Sequence, residues 1–151
     1  MTARSRIPVL PAGDCDGYLG QIDLPKGVRG GGFVTIYHGP RRGREVYIHP
    51  RYLKVLLVYN DVYLKDGLRG ADAESRGWVS YERLARMLAK RSPDTLTPDE
   101  FSLRSYASQL NKLLLQAAPT GTCSPLDSKR NLGRRLCGAF RVMDQTKLDE
   151  D

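Results

Sequence analysis

The sequence has few of the residues that build catalytic or metal sites. Among its 151 residues are two histidines, three cysteines and one tryptophan. His38 and His49 lack the spacing of metal ligands, and no general base accompanies a cysteine as it would a thiol nucleophile. The segment GVRGGG at 27–32 lacks the lysine and hydroxyl residue of a phosphate-binding loop. We therefore predict a protein that is not an enzyme and that holds no metal or cofactor.

The cysteine count and the lack of a long apolar run bear on where the protein works. Three cysteines without a C-x-x-C pair argue against a disulfide framework or a zinc knuckle, so we interpret them as free thiols in a reducing cytoplasm. No apolar run reaches the roughly 20 residues of a membrane-spanning helix. The N-terminal segment MTARSRIPVLPAG lacks the apolar centre of a signal peptide. These absences predict a cytoplasmic protein with no membrane partner.

Negative charge is nearly missing from one long stretch of the chain. The whole sequence has a formal net charge of +7. Between Phe101 and Met143 there are seven cations and a single anion, Asp127, which is a net charge of +6. Such a concentration of positive charge favours a polyanionic partner. A further basic turn, GPRRGR at 39–44, is interpreted as an exposed loop, with added phosphate contacts from the N-terminal half as the alternative.

The first third of the chain is rich in strand and turn signals. Residues 1–17 contain proline, glycine and scattered charge, which predicts a flexible N-terminal arm. Runs of β-branched and aromatic residues lie at Tyr18–Leu24, Phe33–Tyr37 and Glu45–Ile48. These runs predict a small antiparallel sheet, so that residues 18–49 form a β-subdomain. At the other end of the chain, residues 144–151 predict an acidic tail.

Helical signals fill most of residues 50–143. The first helix begins at Pro50 and is apolar on nearly all sides, which is typical of a core helix. The polar, glycine-punctuated segment at 65–77 predicts a loop. The second helix begins after Ser80, whose hydroxyl suits the N-cap position.

The third helix carries the main candidate surface. Thr97 is predicted as its N-cap, Pro98 as its first residue and Glu100 as the capping-box partner. Its leucines and alanines at helical spacing point to the core, and the opposite face offers side chains that read base edges and phosphates. These candidates are Arg104, Ser105, Ser108, Gln109, Asn111 and Lys112. A solvated amphipathic helix is the alternative interpretation of this face.

A basic hairpin is predicted after the third helix. Its strands would be Leu132–Cys137 and Ala139–Met143, on either side of Gly138. The cations of the hairpin, with the two that precede it, are candidates to hold DNA phosphates. They are Lys129, Arg130, Arg134, Arg135 and Arg141. The alternative is a charged sheet edge, where cations prevent aggregation.

Residues 45–143 resemble the winged-helix effector domain of OmpR/PhoB-type response regulators. EVYIHPRYLKVLLVY is similar to the opening strand and first helix of that family, and GWVSYERLARML to its second helix. SLRSYASQLNKLL is similar to its recognition helix, and LCGAFRVM to its closing wing. The resemblance implies an α+β, mostly helical fold, in which residues 18–143 form a single winged helix-turn-helix domain with a small N-terminal antiparallel sheet. The sequence shows no receiver domain, and Asn111 stands where the family often has arginine.

The resemblance implies a sequence-specific double-stranded DNA-binding protein that acts as a transcriptional regulator. The third helix would lie in the major groove and the basic wing on the backbone, with RNA polymerase and a second copy in a homodimer as further partners. The alternative is a winged-helix adaptor that binds protein instead of DNA. An adaptor should expose large apolar residues on the outer face of the third helix, where Tyr106 is the one exception to a polar pattern.

Overall fold

The computed structural model describes residues 18–25, 30–72, 74–91, 98–121 and 123–144. The strands are β1 (Tyr18–Leu24), β2 (Gly32–His38), β3 (Arg41–Arg42), β4 (Val46–Ile48), β5 (Leu126–Lys129), β6 (Gly133–Leu136) and β7 (Gly138–Asp144). The helices are α1 (Pro50–Leu68), α2 (Tyr81–Arg91) and α3 (Glu100–Ala117). The predicted arm lies outside the described residues, and the predicted tail does so except for Asp144, the last residue of β7. None of the described helices is long and apolar enough to cross a membrane.

Three helices and two sheets give the described chain an α+β fold, which confirms the prediction at that level. The larger sheet has the strand order β3-β2-β1-β7, and β4 also pairs with β2. β1 and β2 are antiparallel, whereas β1 and β7 are parallel. The smaller sheet contains β5 and β6.

The predicted N-terminal strands do pair antiparallel, β1 with β2 and β2 with β4, but the prediction that the sheet is built from the N-terminal part alone is wrong. β7 comes from the C-terminal part of the chain and pairs with β1 along its whole length, so the larger sheet is mixed. Gly20 of β1 lies opposite Phe140 of β7, and a Cβ atom at Gly20 would lie 2.2 Å from the Phe140 ring. The missing side chain therefore makes room for the Phe140 ring to pack over β1.

The predicted hairpin around Gly138 is also wrong. β6 pairs with β5, not with β7, and the two strands form an antiparallel hairpin that we call the basic hairpin (residues 126–136). The hairpin turn is residues 129–133, from the last residue of β5 to the first of β6, and it has positive φ at Asn131 (73°) and at Gly133 (96°), residue types that tolerate this conformation. The segment LDSK of β5 has little strand propensity, so its sequence gave no sign of a strand.

α1 is the central helix, as its apolar sequence predicts. Its buried apolar side chains are Leu53, Val55, Leu56, Val58, Tyr59 and Val62. At its start, His49 is the N-cap and accepts a hydrogen bond from the Arg51 N–H at 3.2 Å. The helix continues to Leu68, through the first residues of the segment predicted as a loop. Gly70, with a φ of 86°, then provides the left-handed conformation that commonly follows a helix.

A buried asparagine joins α1 to the edge of the larger sheet. Asn60 is 4% exposed, and its side-chain N–H donates to the Phe140 carbonyl at 3.0 Å. The Phe140 N–H donates to the Asn60 carbonyl oxygen at 2.8 Å. This pair satisfies both backbone polar groups of Phe140, and it fixes β7 in position against α1.

Candidate nucleic-acid interface

α3 packs one face into the core and exposes the other. Its buried residues are Leu103, Ala107, Leu110, Leu114 and Ala117, which confirms the predicted inward stripe. The N-cap is Asp99, not Thr97, because the Asp99 carboxylate accepts a hydrogen bond from the Ser102 N–H at 2.8 Å. Two hydrogen bonds from Ser102 lower the pKa of this carboxyl. The bond from the backbone N–H has the larger effect, and the bond from the hydroxyl has the smaller one. Pro98 therefore precedes the cap, and Thr97 lies outside the described residues.

The outer face of α3 carries most of the polar residues predicted for it. The exposed candidates are Arg104, Ser105, Ser108 and Lys112, and Gln109 is half-buried. The Arg104 guanidinium lies 4.6 Å from the centre of the Tyr81 ring at the start of α2. This cation–π contact orients Arg104 beside α2 while the side chain stays accessible to a partner.

Asn111 faces the basic hairpin instead of solvent. Its side-chain carbonyl accepts a hydrogen bond from the Leu126 N–H at 3.2 Å, and the residue is half-buried. This bond connects the middle of α3 to the first residue of β5. The structure thus gives Asn111 a part in positioning the hairpin, where the sequence predicted a contact with DNA.

Arg134 connects the basic hairpin to both neighbouring helices. Its guanidinium donates to the Leu126 carbonyl at 3.2 Å and to the Tyr81 hydroxyl at 3.4 Å. It also donates to the Ser108 hydroxyl of α3 at 3.4 Å. Its backbone pairs with Val79 in a short bridge just before α2. Arg134 is half-buried, and its guanidinium donates to three groups of the fold, of which Ser108 is exposed.

Arg135 is buried at the base of the basic hairpin, which contradicts its predicted place on a phosphate-binding surface. It is 7% exposed, and its guanidinium lies 5.1 Å from the centre of the Trp78 ring. It donates to the Arg76 carbonyl at 3.5 Å, and its Nε lies 3.9 Å from a carboxylate oxygen of Asp127 across the hairpin. Arg135 therefore supports the fold of the hairpin.

Arg141 does not belong to the basic hairpin. It lies on β7, where it pairs with Gln21 of β1 in the larger sheet. The side chain is exposed, but the structure does not bring it together with the other candidates. Its predicted place in the wing depended on the hairpin around Gly138, which the strand pairing does not contain, whereas its predicted contact with DNA stays a prediction.

The turn of the basic hairpin keeps its cations exposed. Lys129, Arg130 and Arg104 line a cleft of about 500 Å³ at the starts of α2 and α3. Glu82 and Glu100 also line this cleft and offset part of its positive charge. We call the exposed set on α3 and on the hairpin turn the basic face. It consists of Arg104, Ser105, Ser108, Lys112, Lys129 and Arg130.

Three large apolar residues lie exposed near the basic face. Phe101, at the start of α3, is 79% exposed, Leu132, in the hairpin turn, is 42% exposed, and Leu115, near the end of α3, is 39% exposed. Phe101, Ser105 and Ser108 follow each other at helical spacing, so their common outer face could have been recognised from the pattern.

Neither a metal centre nor a disulfide is built from the described residues. No group of three or more histidine, cysteine, aspartate or glutamate residues in these parts of the chain could hold a metal ion. Cys123 is exposed, and Cys137 is buried with its thiol 3.6 Å from the Ser124 carbonyl oxygen. Cys15 lies outside the described residues.

Comparison with known proteins found no matching family model, no matching curated protein and no matching solved structure. The resemblance to response-regulator effector domains therefore stays a prediction that depends on the segments quoted for it.

Proposed function

We propose that the protein binds double-stranded DNA through the basic face. The observation that carries this proposal is the set of exposed cations that α3 and the adjacent hairpin turn present on one side of the molecule. α3 has 18 residues, which is a length of about 27 Å. An exposed helix fits the major groove of DNA, which is about 12 Å wide. Ser105 would then face base edges, while Lys129 and Arg130 contact phosphates.

The proposal includes a role as a cytoplasmic, sequence-specific transcriptional regulator with a winged helix-turn-helix domain. Three helices, the bridge between Val79 and Arg134, and the basic hairpin support it. One copy of α3 reaches few bases, so a homodimer on repeated half-sites would supply the affinity that one copy lacks. RNA polymerase is the partner that such a regulator would need.

A selection of bound duplexes from a random DNA pool tests this function. We expect one motif to be enriched, because a helix in the major groove contacts a fixed set of base edges. Ser105→Ala should relax or alter that motif, whereas Lys129→Gln should weaken binding to all sequences alike. A pool that shows no enrichment after repeated selection would contradict sequence-specific binding.

A second candidate is a protein-interaction adaptor, which the exposure of Phe101 favours. A large aromatic side chain that is 79% exposed at the start of a helix is typical of an anchor for a protein partner. On this hypothesis RNA polymerase binds the start of α3, and Phe101→Ser removes that binding while duplex DNA shows no enriched motif. If Phe101→Ser leaves the polymerase interaction unchanged, the adaptor hypothesis fails.

A further inference from the structure

A second cluster of arginines lies at the end of α3, away from the hairpin turn. Residues 39–44, which we call the arginine loop, follow β2 and include β3. Arg41, Arg42 and Arg44 are all exposed. Gly39 and Pro40 form the two-residue turn between β2 and β3, and the φ of 61° at Gly39 suits the first position of such a turn.

The arginine loop is fixed against the end of α3. The Arg41 guanidinium donates a hydrogen bond to the Thr120 carbonyl, just beyond the helix. A Cβ atom at Gly43 would lie 1.7 Å from the Ala117 carbonyl oxygen, so only glycine lets the two backbones approach this closely. The Gly43 N–H also donates to the Ile36 carbonyl at 2.8 Å. The loop is therefore a positioned part of the fold.

A cleft of about 600 Å³ opens at the surface where the arginine loop meets the end of α3. Arg42, Arg44 and Gln116 are among the residues that line it, and none of its described lining residues is acidic. It differs in this respect from the cleft beside the hairpin turn, which two glutamates line. Gln116 follows Lys112 by one helical turn, so this cleft opens at the end of the basic face.

Arginines beside a helix end can also serve the helix itself, because its last carbonyls carry partial negative charge. α3 has no basic residue in its last turn, and Arg41 donates to the Thr120 carbonyl beyond the helix, not to a carbonyl of that turn. Arg42 is oriented by Tyr37, whose hydroxyl accepts from Nε at 3.3 Å. Neither Arg42 nor Arg44 forms an ion pair within the described part of the chain.

We propose that Arg42 and Arg44 bind DNA phosphates beyond the end of α3. This inference depends on the proposed function, because it extends the same DNA-binding surface. α3 is about 27 Å long, more than twice the width of the major groove, so a helix that crosses the groove would extend past the phosphate backbone on each side. The hairpin turn contacts one backbone and the arginine loop contacts the other.

The salt dependence of duplex binding tests the arginine loop. Each phosphate contact contributes about −0.9 to the slope of log affinity against log salt concentration. Four cations of the basic face and two of the arginine loop predict a slope of about −5.4 for the wild type. Arg42→Gln/Arg44→Gln should bring it to about −3.6. The matched control, Lys65→Gln/Arg69→Gln, removes two exposed charges at the end of α1 and should keep the wild-type slope.

Each outcome of this experiment separates the two proposals. A wild type whose affinity is independent of salt overturns the proposed function itself. A steep wild-type slope that the loop variant leaves unchanged overturns only the arginine loop. An equal loss in the control shows a general charge effect and also overturns the loop assignment. Arg42→Lys/Arg44→Lys keeps both charges and should therefore show the wild-type slope. If Arg42 acted only through its hydrogen bond to Tyr37, the lysine variant would show the same slope as the glutamine variant.

Discussion

The base and the turn of the basic hairpin contain cations of the same kind in very different surroundings. At the base, Arg135 is buried against Trp78, and Arg134 donates hydrogen bonds to both neighbouring helices. At the turn, Lys129 and Arg130 are exposed. The comparison shows that cations of this hairpin differ in burial: those at the base support the fold, and those at the turn are exposed, which is where the proposed function places the contact with DNA.

The largest effect that this comparison predicts is the loss of Arg135. Arg135→Met should lower the free energy of unfolding by about 2–3 kcal/mol, because it removes a buried hydrogen-bonding cation from the Trp78 ring. The ion pair between Arg135 and Asp127 is long, at 3.9 Å, and the Asp127 side chain is 44% exposed. Its loss therefore adds little to the change in stability. Urea denaturation measures the change. If Arg135→Met is as stable as the wild type, the base of the hairpin does not support the fold more than the turn does.

Arg134 should show a smaller effect of the same kind. Arg134→Met removes three side-chain hydrogen bonds from a half-buried position, and we expect a loss of about 1–2 kcal/mol. Ser108→Ala removes only one of these partners and should cost less. If the two variants are equally stable in urea, the hydrogen bonds to α2 and to β5 contribute nothing.

Asn111 tests whether α3 also supports the base of the basic hairpin, through its hydrogen bond from the Leu126 N–H. Asn111→Ala leaves the Leu126 N–H without its acceptor, and the free energy of unfolding should fall by about 1 kcal/mol. Asn111→Asp keeps an oxygen acceptor and should recover most of this loss. Hydrogen exchange of the Leu126 amide gives a local measure, since its protection should fall in the alanine variant alone. Equal protection in the two variants would exclude the hydrogen bond.

The smallest change in stability should come from the hairpin turn. Lys129→Gln/Arg130→Gln removes two exposed charges, so the free energy of unfolding should change by less than about 0.5 kcal/mol. The same urea denaturation checks it. A loss as large as that of Arg135→Met would show that the turn also supports the fold.

Helices whose signals are local could be predicted from the sequence. Pro50 begins α1, and the Ser80 hydroxyl accepts from the Arg83 N–H at 3.1 Å as an N-cap should. Both signals depend on residues a few positions apart. The start of α3 was misplaced because Thr97 and Asp99 both suit the N-cap position, and the sequence alone does not decide between them.

Pairings between distant segments could not be predicted in this way. Gly138 suggested a turn, but a Cβ atom there would lie 1.9 Å from the Tyr18 carbonyl oxygen, so the glycine serves the close approach of β7 to β1. Nothing near Asn60 in the sequence indicates its bonds to Phe140.

The candidate site shows the same division between local and distant information. The outer face of α3 follows from helical spacing, so the exposure of Arg104 and Lys112 was predictable. Burial of Arg135 was not, because it depends on Trp78, which is distant in the sequence. The arginine loop was recognisable as basic, but its place at the end of α3 required the structure.

The salt dependence of duplex binding in paired hairpin variants tests the central claim most directly. Lys129→Gln/Arg130→Gln should reduce the magnitude of the log–log slope by about 1.8, because two phosphate contacts are lost. Arg134→Met, measured under conditions where it is folded, should keep the wild-type slope. Equal slopes in the wild type and the turn variant, or a reduction seen only in Arg134→Met, would contradict the division between a supporting base and a DNA-binding turn.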